Sequence, residues 1–327
     1  MANDSLVFFA LNTSQVLGNH IAEQLGVRLS PHEEREFEDG EHKSRPLISV
    51  RGKDCYVLQS LNSELGRSAN DKLCRLLFFI GTLRDAGAKR ITAMIPYLAY
   101  ARKDHKTQAR DPVTTRYLAQ VVEAVGTDAV ITMDVHNVVA YQNAFRCQTE
   151  HLEASKLLSS YVAARLDKAP MVVVSPDAGG IKRAEQFRQR LAHQVDHTIS
   201  MAVVEKYRSE GVLSGGLVVG NVNNSHVIVI DDLISSGKTL ARAAHACRSQ
   251  GALSVVAMAT HGLFTQDAAQ ILNDAAIERI VVTDSVCIST GTEKKLSNKL
   301  ERLSCAGLFA QAISQLHSNG SIVDLMA

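Results

Sequence analysis

Short runs of apolar and β-branched residues alternate with helix-length segments along nearly the whole chain, and this alternation restricts the fold more than any other feature. The runs fall at Cys55–Gln59, Ile91–Pro96, Ala129–Asp134, Met171–Ser175, Thr198–Val204, Val227–Asp231, Ser254–Ala259 and Arg279–Thr283. Between them, Asn70–Ala86 carries Leu73, Leu76, Leu77, Ile80 and Leu83 at helical spacing, and Gly237–Gln250 has the length of a helix. Strands separated by helices are expected to pair in parallel and to be covered on both faces, which predicts the α/β class.

A chain of 327 residues exceeds a comfortable single core and suggests two domains. An internal echo supports two similar units. Arg84-Asp85-Ala86-Gly87-Ala88 before one apolar run resembles Arg248-Ser249-Gln250-Gly251-Ala252 before another. In each, the glycine suits a helix C-cap ahead of a buried strand. The expected architecture is therefore a duplicated fold of two similar doubly wound domains with mainly parallel central sheets, 1–155 and 156–327, the last segment packing back on the first domain.

Lysine and arginine number 35 against 34 acids, a net charge of +1, so no basic excess points to nucleic acid or an acidic membrane surface. The six cysteines are scattered without a C-x-x-C pair, which predicts reduced thiols rather than a disulfide framework or zinc site. The first residues, with Asp4 and no basic or long apolar stretch, read as a first strand and not as a signal peptide. No run reaches the length of a membrane span. The expected setting is the cytoplasm.

The stretch from Val227 to Leu240, VIVIDDLISSGKTL, carries the ending of a nucleotide-binding P-loop in Gly237-Lys238-Thr239. That motif needs a glycine at position 232, where this chain has aspartate, and a carboxylate there would repel a triphosphate. Another chemistry suits every residue. A strand ends in Asp231 and Asp232, a small polar loop follows, and a helix begins. Backbone N–H groups at the helix start, with the hydroxyls of Ser235, Ser236 and Thr239, suit one phosphate monoester. The two acids suit vicinal sugar hydroxyls or a metal bound to them. An ordinary strand–turn–helix with solvated acids and a serine cap is the plainer alternative.

Four apolar residues, Asp-Asp, two apolar residues, small polar residues, Gly and Thr resemble the phosphoribosyl diphosphate (PRPP) motif. Type I phosphoribosyltransferases and ribose-phosphate diphosphokinases share it. Further stretches resemble the diphosphokinase family in that family's order: Phe37-Glu38-Asp39-Gly40-Glu41, Pro96–Asp104, Asp134-Val135-His136, Ser175–Gly180, Glu205–Arg208 and Ala259–Phe264. A phosphoribosyltransferase would explain only the chain after about residue 170.

The resemblance implies a phosphoribosyltransferase-like fold in both halves, the N-terminal one binding ATP and the C-terminal one ribose 5-phosphate. It implies ATP contacts from Phe37, Asp39, Gly40, Glu41, Arg102 and Lys103. Ribose 5-phosphate would be held by Asp231, Asp232, Ser235, Ser236, Gly237, Lys238 and Thr239. Mg²⁺ would be placed by Asp134, His136 and Asp177, and catalysis would rest on Lys206 and Arg208. His136 lies two residues after Asp134, so both side chains are expected on one side of the strand end if it stays extended; Lys206 and Arg208 have the same spacing. The implied reaction moves the β,γ-diphosphoryl group of ATP to the 1-hydroxyl of ribose 5-phosphate in a homo-oligomer, dimer-based and up to a hexamer. A PRPP-consuming phosphoribosyltransferase or a non-catalytic regulatory homologue are the alternatives. The chain departs from the common pattern at Lys103, where glutamine is frequent, and at Ser235 and Lys238, where aspartate and glycine are frequent.

Overall fold

The computed structural model describes residues 5–165, 170–195, 198–209, 212–265 and 267–326; the side chains of 206–215 and 326 lie outside the described set. Fourteen strands are present among these residues. They are β1 Leu6–Ala10, β2 His32–Glu36, β3 His42–Pro46, β4 Asp54–Leu58, β5 Arg90–Ile95, β6 Ala129–Met133 and β7 Gln148–Leu152. The later half adds β8 Met171–Ser175, β9 Ile199–Ser209, β10 Val212–Val219, β11 His226–Ile234, β12 Ser254–Gly262, β13 Arg279–Thr283 and β14 Leu300–Leu303. All eight apolar runs named above are strands. The expected α/β class and mainly parallel sheets are those observed.

The fold divides into two compact units, 1–153 with 285–287 and 304–327, and 154–284 with 288–303. The first holds a five-stranded sheet in the order β1-β4-β5-β6-β7, parallel throughout. Every residue of β4 and β6 is buried, because helices cover both faces. The helix Ala69–Asp85 forms where Ser68 and Asp71 close a reciprocal capping box: the Asp71 N–H donates to the Ser68 hydroxyl, and the Ser68 N–H to the Asp71 carboxylate. It buries Leu76, Phe79, Ile80 and Leu83 against Phe9, Val57 and Ala93 of the sheet; Leu73 and Leu77 are half-buried at its margin.

In the same unit Asp54 on β4 anchors the C-terminal helix Ala306–His317. Its carboxylate accepts from Arg90 at 2.7 and 2.5 Å and meets His317 Nδ1 at 2.7 Å, while Arg90 also donates to the Leu316 carbonyl.

The second unit holds a seven-stranded sheet, β10-β9-β8-β11-β12-β13-β14, parallel except for β10 against β9. Chain order runs outward from β8 in both directions, so the sheet reverses between β8 and β11. In open α/β sheets such a switch point leaves a crevice at the carboxyl ends of the strands, the usual place for a ligand.

The internal echo has a shared geometry. Gly87 (φ 86°) and Gly251 (φ 88°) both end helices in the left-handed region. In both, the next residue's N–H reaches back to a helix carbonyl: Ala88 to Leu83 and Ala252 to Cys247, each at 3.1 Å. The arginine three residues before each glycine donates to the carbonyl of the alanine after it, Arg84 to Ala88 and Arg248 to Ala252.

None of the six cysteines forms a disulfide, and Cys55, Cys247 and Cys305 are buried. No helix among the described residues is long and apolar enough to cross a membrane.

Candidate functional site

In the second unit, β11 and the loop after it bring the acid pair and the hydroxyl-rich segment together. β11 does not stop at the acids as the sequence suggests. It runs on to Ile234, because β12 continues to pair with it, Asp231 opposite Ala259 and Leu233 opposite His261. On its other side β8 pairs only as far as Val174 opposite Val229. Asp231 and Asp232 therefore extend past the last rung of β8, at the switch point.

Asp232 is buried and Asp231 half-buried. Burial, and then the neighbouring charge of Asp232, push the Asp231 carboxyl above the ordinary carboxylate range, with Arg183 opposing the shift. Arg183 was not singled out from the sequence. Its guanidinium meets both acids, Nη1 at 3.0 Å from Asp231 Oδ1 and Nη2 at 3.3 Å from Asp232 Oδ2.

After Ile234, the loop 235–237 leads into the helix Lys238–Ser249. Gly237 caps it in the left-handed region, and a Cβ there would lie 2.6 Å from Leu272 Cγ, so close approach and conformation both call for glycine. The Ser235 hydroxyl lies 3.0 Å from that of Thr265, and the Ser235 carbonyl accepts from the Thr265 N–H, which pins the loop from outside. The first N–H groups of the helix, from Lys238 onward, have no partner within it. Lys238 is exposed at that end.

Asp177 follows β8. Its carboxylate accepts from the Gly179 N–H at 3.1 Å, and its carbonyl from the Ser175 hydroxyl at 2.6 Å. A Cβ on Gly180 would approach Ser175 Oγ to 2.8 Å. Lys206 and Arg208 belong to β9, opposite Gly216 and Leu213, but their side chains lie outside the described residues.

In the first unit, β2 and β3 form an antiparallel hairpin with Phe37–Glu41 at its tip. The Phe37 N–H donates to the Glu41 carbonyl at 2.8 Å, the Glu41 N–H to the Asp39 carboxylate at 3.0 Å, and Gly40 takes φ 88°. Phe37 is exposed, with the Arg35 guanidinium 5.2 Å from its ring centre. Below the tip, Glu36 is held by Arg67 and, at 3.5 Å, by Arg75.

Arg102 is exposed in the segment after β5. Lys103 is engaged: its ammonium reaches the Asp111 carboxylate at 2.5 Å and the Thr107 hydroxyl at 2.8 Å. Asp104 accepts from the Asn137 side chain at 2.6 Å, and Asn137 caps the helix Val138–Ala144. This bond ties the segment bearing Arg102 and Lys103 to the segment bearing Asp134 and His136.

One expectation about that segment needs correcting. β6 ends at Met133, and Asp134 takes φ 39°. The two-residue alternation of an extended strand therefore does not carry from Asp134 to His136. The turn is held by its backbone: the Asp134 N–H donates to the Leu152 carbonyl at 3.0 Å and the Val135 N–H to His151 Nε2 at 3.2 Å. Burial keeps the His151 pKa below its ordinary value, consistent with Nε2 accepting that bond.

Of the three residues expected at a metal, Asp134 and His136 belong to the first unit and Asp177 to the second. Among the described residues, no three His, Cys, Asp or Glu side chains gather to hold a metal. The two carboxylates are donors of the kind Mg²⁺ takes beside its waters and substrate phosphates, whereas the His136 imidazole suits a hydrogen bond to a phosphate or a bound water more than direct ligation.

Open, mainly parallel α/β units, one of them with an acid pair and a hydroxyl-rich helix start at its switch point, place the chain in the doubly wound α/β class. Residues 6–126 match the N-terminal domain of ribose phosphate pyrophosphokinase, and residues 215–327 match the phosphoribosyl synthetase-associated domain. The chain is 35% identical over 321 residues to ribose-phosphate pyrophosphokinase 1 of Listeria innocua, covering 98% of this chain and 96% of that protein. It is also 35% identical over 323 residues to ribose-phosphate pyrophosphokinase of Caldanaerobacter subterraneus, covering 98% of each. The crystal structure of phosphoribosylpyrophosphate synthetase from Mycobacterium smegmatis superposes with a TM-score of 0.88 at 34% identity, covering 97% of this chain and all of that one. The chain belongs to the ribose-phosphate pyrophosphokinase family.

Proposed function

We propose that the protein is a Mg²⁺-dependent ribose-phosphate diphosphokinase that converts ATP and ribose 5-phosphate to PRPP and AMP. The observation that carries the reading is the acid pair at the switch point, continuous with a hydroxyl-lined helix start, in a chain related over its full length to proteins named for this reaction.

The 1-hydroxyl oxygen of ribose 5-phosphate attacks the β-phosphorus of ATP. The bond from that phosphorus to the α,β-bridging oxygen breaks, AMP leaves, and the hydroxyl proton passes to solvent. Asp231 and Asp232 accept from the ribose hydroxyls. Ser235, Ser236, Gly237, Lys238 and Thr239 surround the 5-phosphate, by the N–H groups of the helix start and by hydroxyls. Phe37, Asp39, Gly40 and Glu41 on the hairpin, with Arg102 and Lys103, receive the nucleotide, Phe37 offering an exposed ring for stacking. Lys206 and Arg208 neutralise charge on the transferring group. Asp134, His136 and Asp177 would hold Mg²⁺ directly or through its waters, and the ion supplies charge neutralisation on the phosphate oxygens. Such a reaction depends on positioning more than on a general base, which suits a chain in which no general base stands out. The protein works as a cytoplasmic homo-oligomer, dimer-based and up to a hexamer.

The test is to mix the purified protein with ribose 5-phosphate, ATP and Mg²⁺ and to measure AMP and PRPP. Equal amounts of both, lost on chelation of the metal, are expected. Diphosphate release from PRPP and a base without ATP would indicate a phosphoribosyltransferase. Absence of AMP and PRPP at all phosphate and nucleotide concentrations would rule out the enzyme.

A further inference from the structure

We propose that Arg183 is a positioning residue for the ribose site, holding Asp231 and Asp232 together as paired acceptors for two adjacent sugar hydroxyls. The proposal rests on the reading that these two acids receive the ribose.

Consecutive residues of a strand point to opposite faces, so two adjacent aspartates on β11 have no intrinsic reason to act together. Here both carboxylates meet one guanidinium, at 3.0 and 3.3 Å, through separate nitrogens. Arg183 sits in the first turn of the helix Ile181–Ala192, which packs against β8 and β11. Its place is therefore set by the switch point and not by a flexible loop.

The remaining geometry narrows how each acid can turn. Asp231 Oδ1 also accepts from the Asp232 N–H, and Asp232 Oδ1 from the Leu233 N–H, both at 2.9 Å. Each carboxylate is thus held by one backbone donor and one arm of Arg183. A planar, permanently charged fork suits this role, whereas a lysine ammonium offers a single point of charge. The guanidinium also offsets the repulsion of two acids at a site where Asp232 is 4% exposed. Burial, and then the charge of Asp232, raise the Asp231 carboxyl, and Arg183 opposes that rise.

The experiment compares the full-length wild type with Arg183→Met and Arg183→Lys. Ribose 5-phosphate binding is measured by calorimetry without nucleotide, and KM for each substrate by steady-state turnover. In Arg183→Met, ribose 5-phosphate binding should weaken at least tenfold and its KM rise in parallel, with KM for ATP within twofold of wild type. Arg183→Lys should fall between the two. Unchanged ribose 5-phosphate binding in Arg183→Met, or an equal rise in both KM values, overturns the proposal. If the methionine variant does not fold, the lysine variant decides: wild-type affinity with lysine in place overturns the requirement for a fork. A wild type that does not bind ribose 5-phosphate overturns the underlying reading of the site, and this assignment with it. A wild type that binds while Arg183→Met binds equally well overturns this assignment alone.

Discussion

The Lys103 ammonium donates to Asp111 Oδ2 at 2.5 Å, and the same oxygen accepts from the Thr107 N–H, the Thr107 hydroxyl and the Gln108 N–H. One carboxylate thus closes the segment 103–111 on itself and fixes where Lys103 carries its charge. Asp111→Ala should release the segment, speeding amide exchange at Thr107 and Gln108 and raising KM for ATP at least threefold. KM for ribose 5-phosphate should stay within twofold. Unchanged exchange would show that other contacts hold the loop.

The same carboxylate makes a pH prediction. The Lys103 ammonium, then the Thr107 and Gln108 donors, hold Asp111 far below the ordinary carboxylate range. A depressed folded pKa means that the closure is fully present above the ordinary value of about 3.9 and is lost only as pH falls through the depressed one. Exchange protection at Thr107 and Gln108, corrected for intrinsic rate, should therefore be the same at pH 5 and pH 7. A fall in protection between those values would contradict the assigned pairing.

Asp231 behaves in the opposite sense. Its folded pKa is raised by burial and by Asp232, so the folded protein binds that proton more tightly than the unfolded chain does. The resulting stability is greatest below the ordinary carboxylate pKa and is lost as pH rises through the raised value. Asp231→Asn removes the repulsion while keeping an acceptor. Its melting temperature should exceed that of the wild type by about 2–4 °C at pH 8, for roughly 1 kcal/mol in a protein of this size, with a smaller gain at pH 5. Turnover should fall at least a hundredfold. A melting temperature lowered at pH 8 would show that the acid pair is net stabilising.

Gly237 stands where a Cβ would meet the Leu272 side chain at 2.6 Å, in a backbone conformation that side chains disfavour. Gly237→Ala should cost about 1–3 kcal/mol in denaturant unfolding and weaken ribose 5-phosphate binding. Leu272→Ala in the same chain should relieve the steric part, giving a double mutant more stable than the sum of the single changes. Strict additivity would point to backbone strain alone.

Lys206→Ala should lower kcat by about 10²–10³-fold with both KM values little changed, as expected for a cation acting on charge that develops in the transition state. A rise in KM at constant kcat would instead make Lys206 a binding residue.

The strands that escaped the sequence have a common cause. β7, β10 and β14 lie at sheet edges, and β2 and β3 pair only with each other. A strand at an edge needs no continuous apolar run, and His32-Glu33-Glu34-Arg35-Glu36 looks like a solvated segment until its hairpin partner is known. Central strands such as Met171–Ser175, buried at every position, announce themselves.

The same distinction separates the two halves of the sugar-phosphate site. Asp231-Asp232 and Ser235–Thr239 lie within nine residues of one another, and local chemistry was enough to pick them out and to exclude a P-loop. Arg183 lies 48 residues before Asp231, in a helix whose sequence Ile181-Lys182-Arg183-Ala184 reads as an ordinary solvated face. Its role depends on β8 and β11 being neighbours, a pairing that no local signal encodes.

The sequence by itself determined the class of fold, the buried strands and the residues whose chemistry is written in consecutive positions. Hydrophobic period and backbone-adjacent functional groups are properties of a short stretch of chain. The tertiary structure alone decided the strand order, the switch point, the left-handed turn at Asp134 that breaks the alternation toward His136, and Arg183 as the partner of the acid pair. These follow from which elements come to lie side by side, because an ion pair or a crevice requires two segments and is a property of neither.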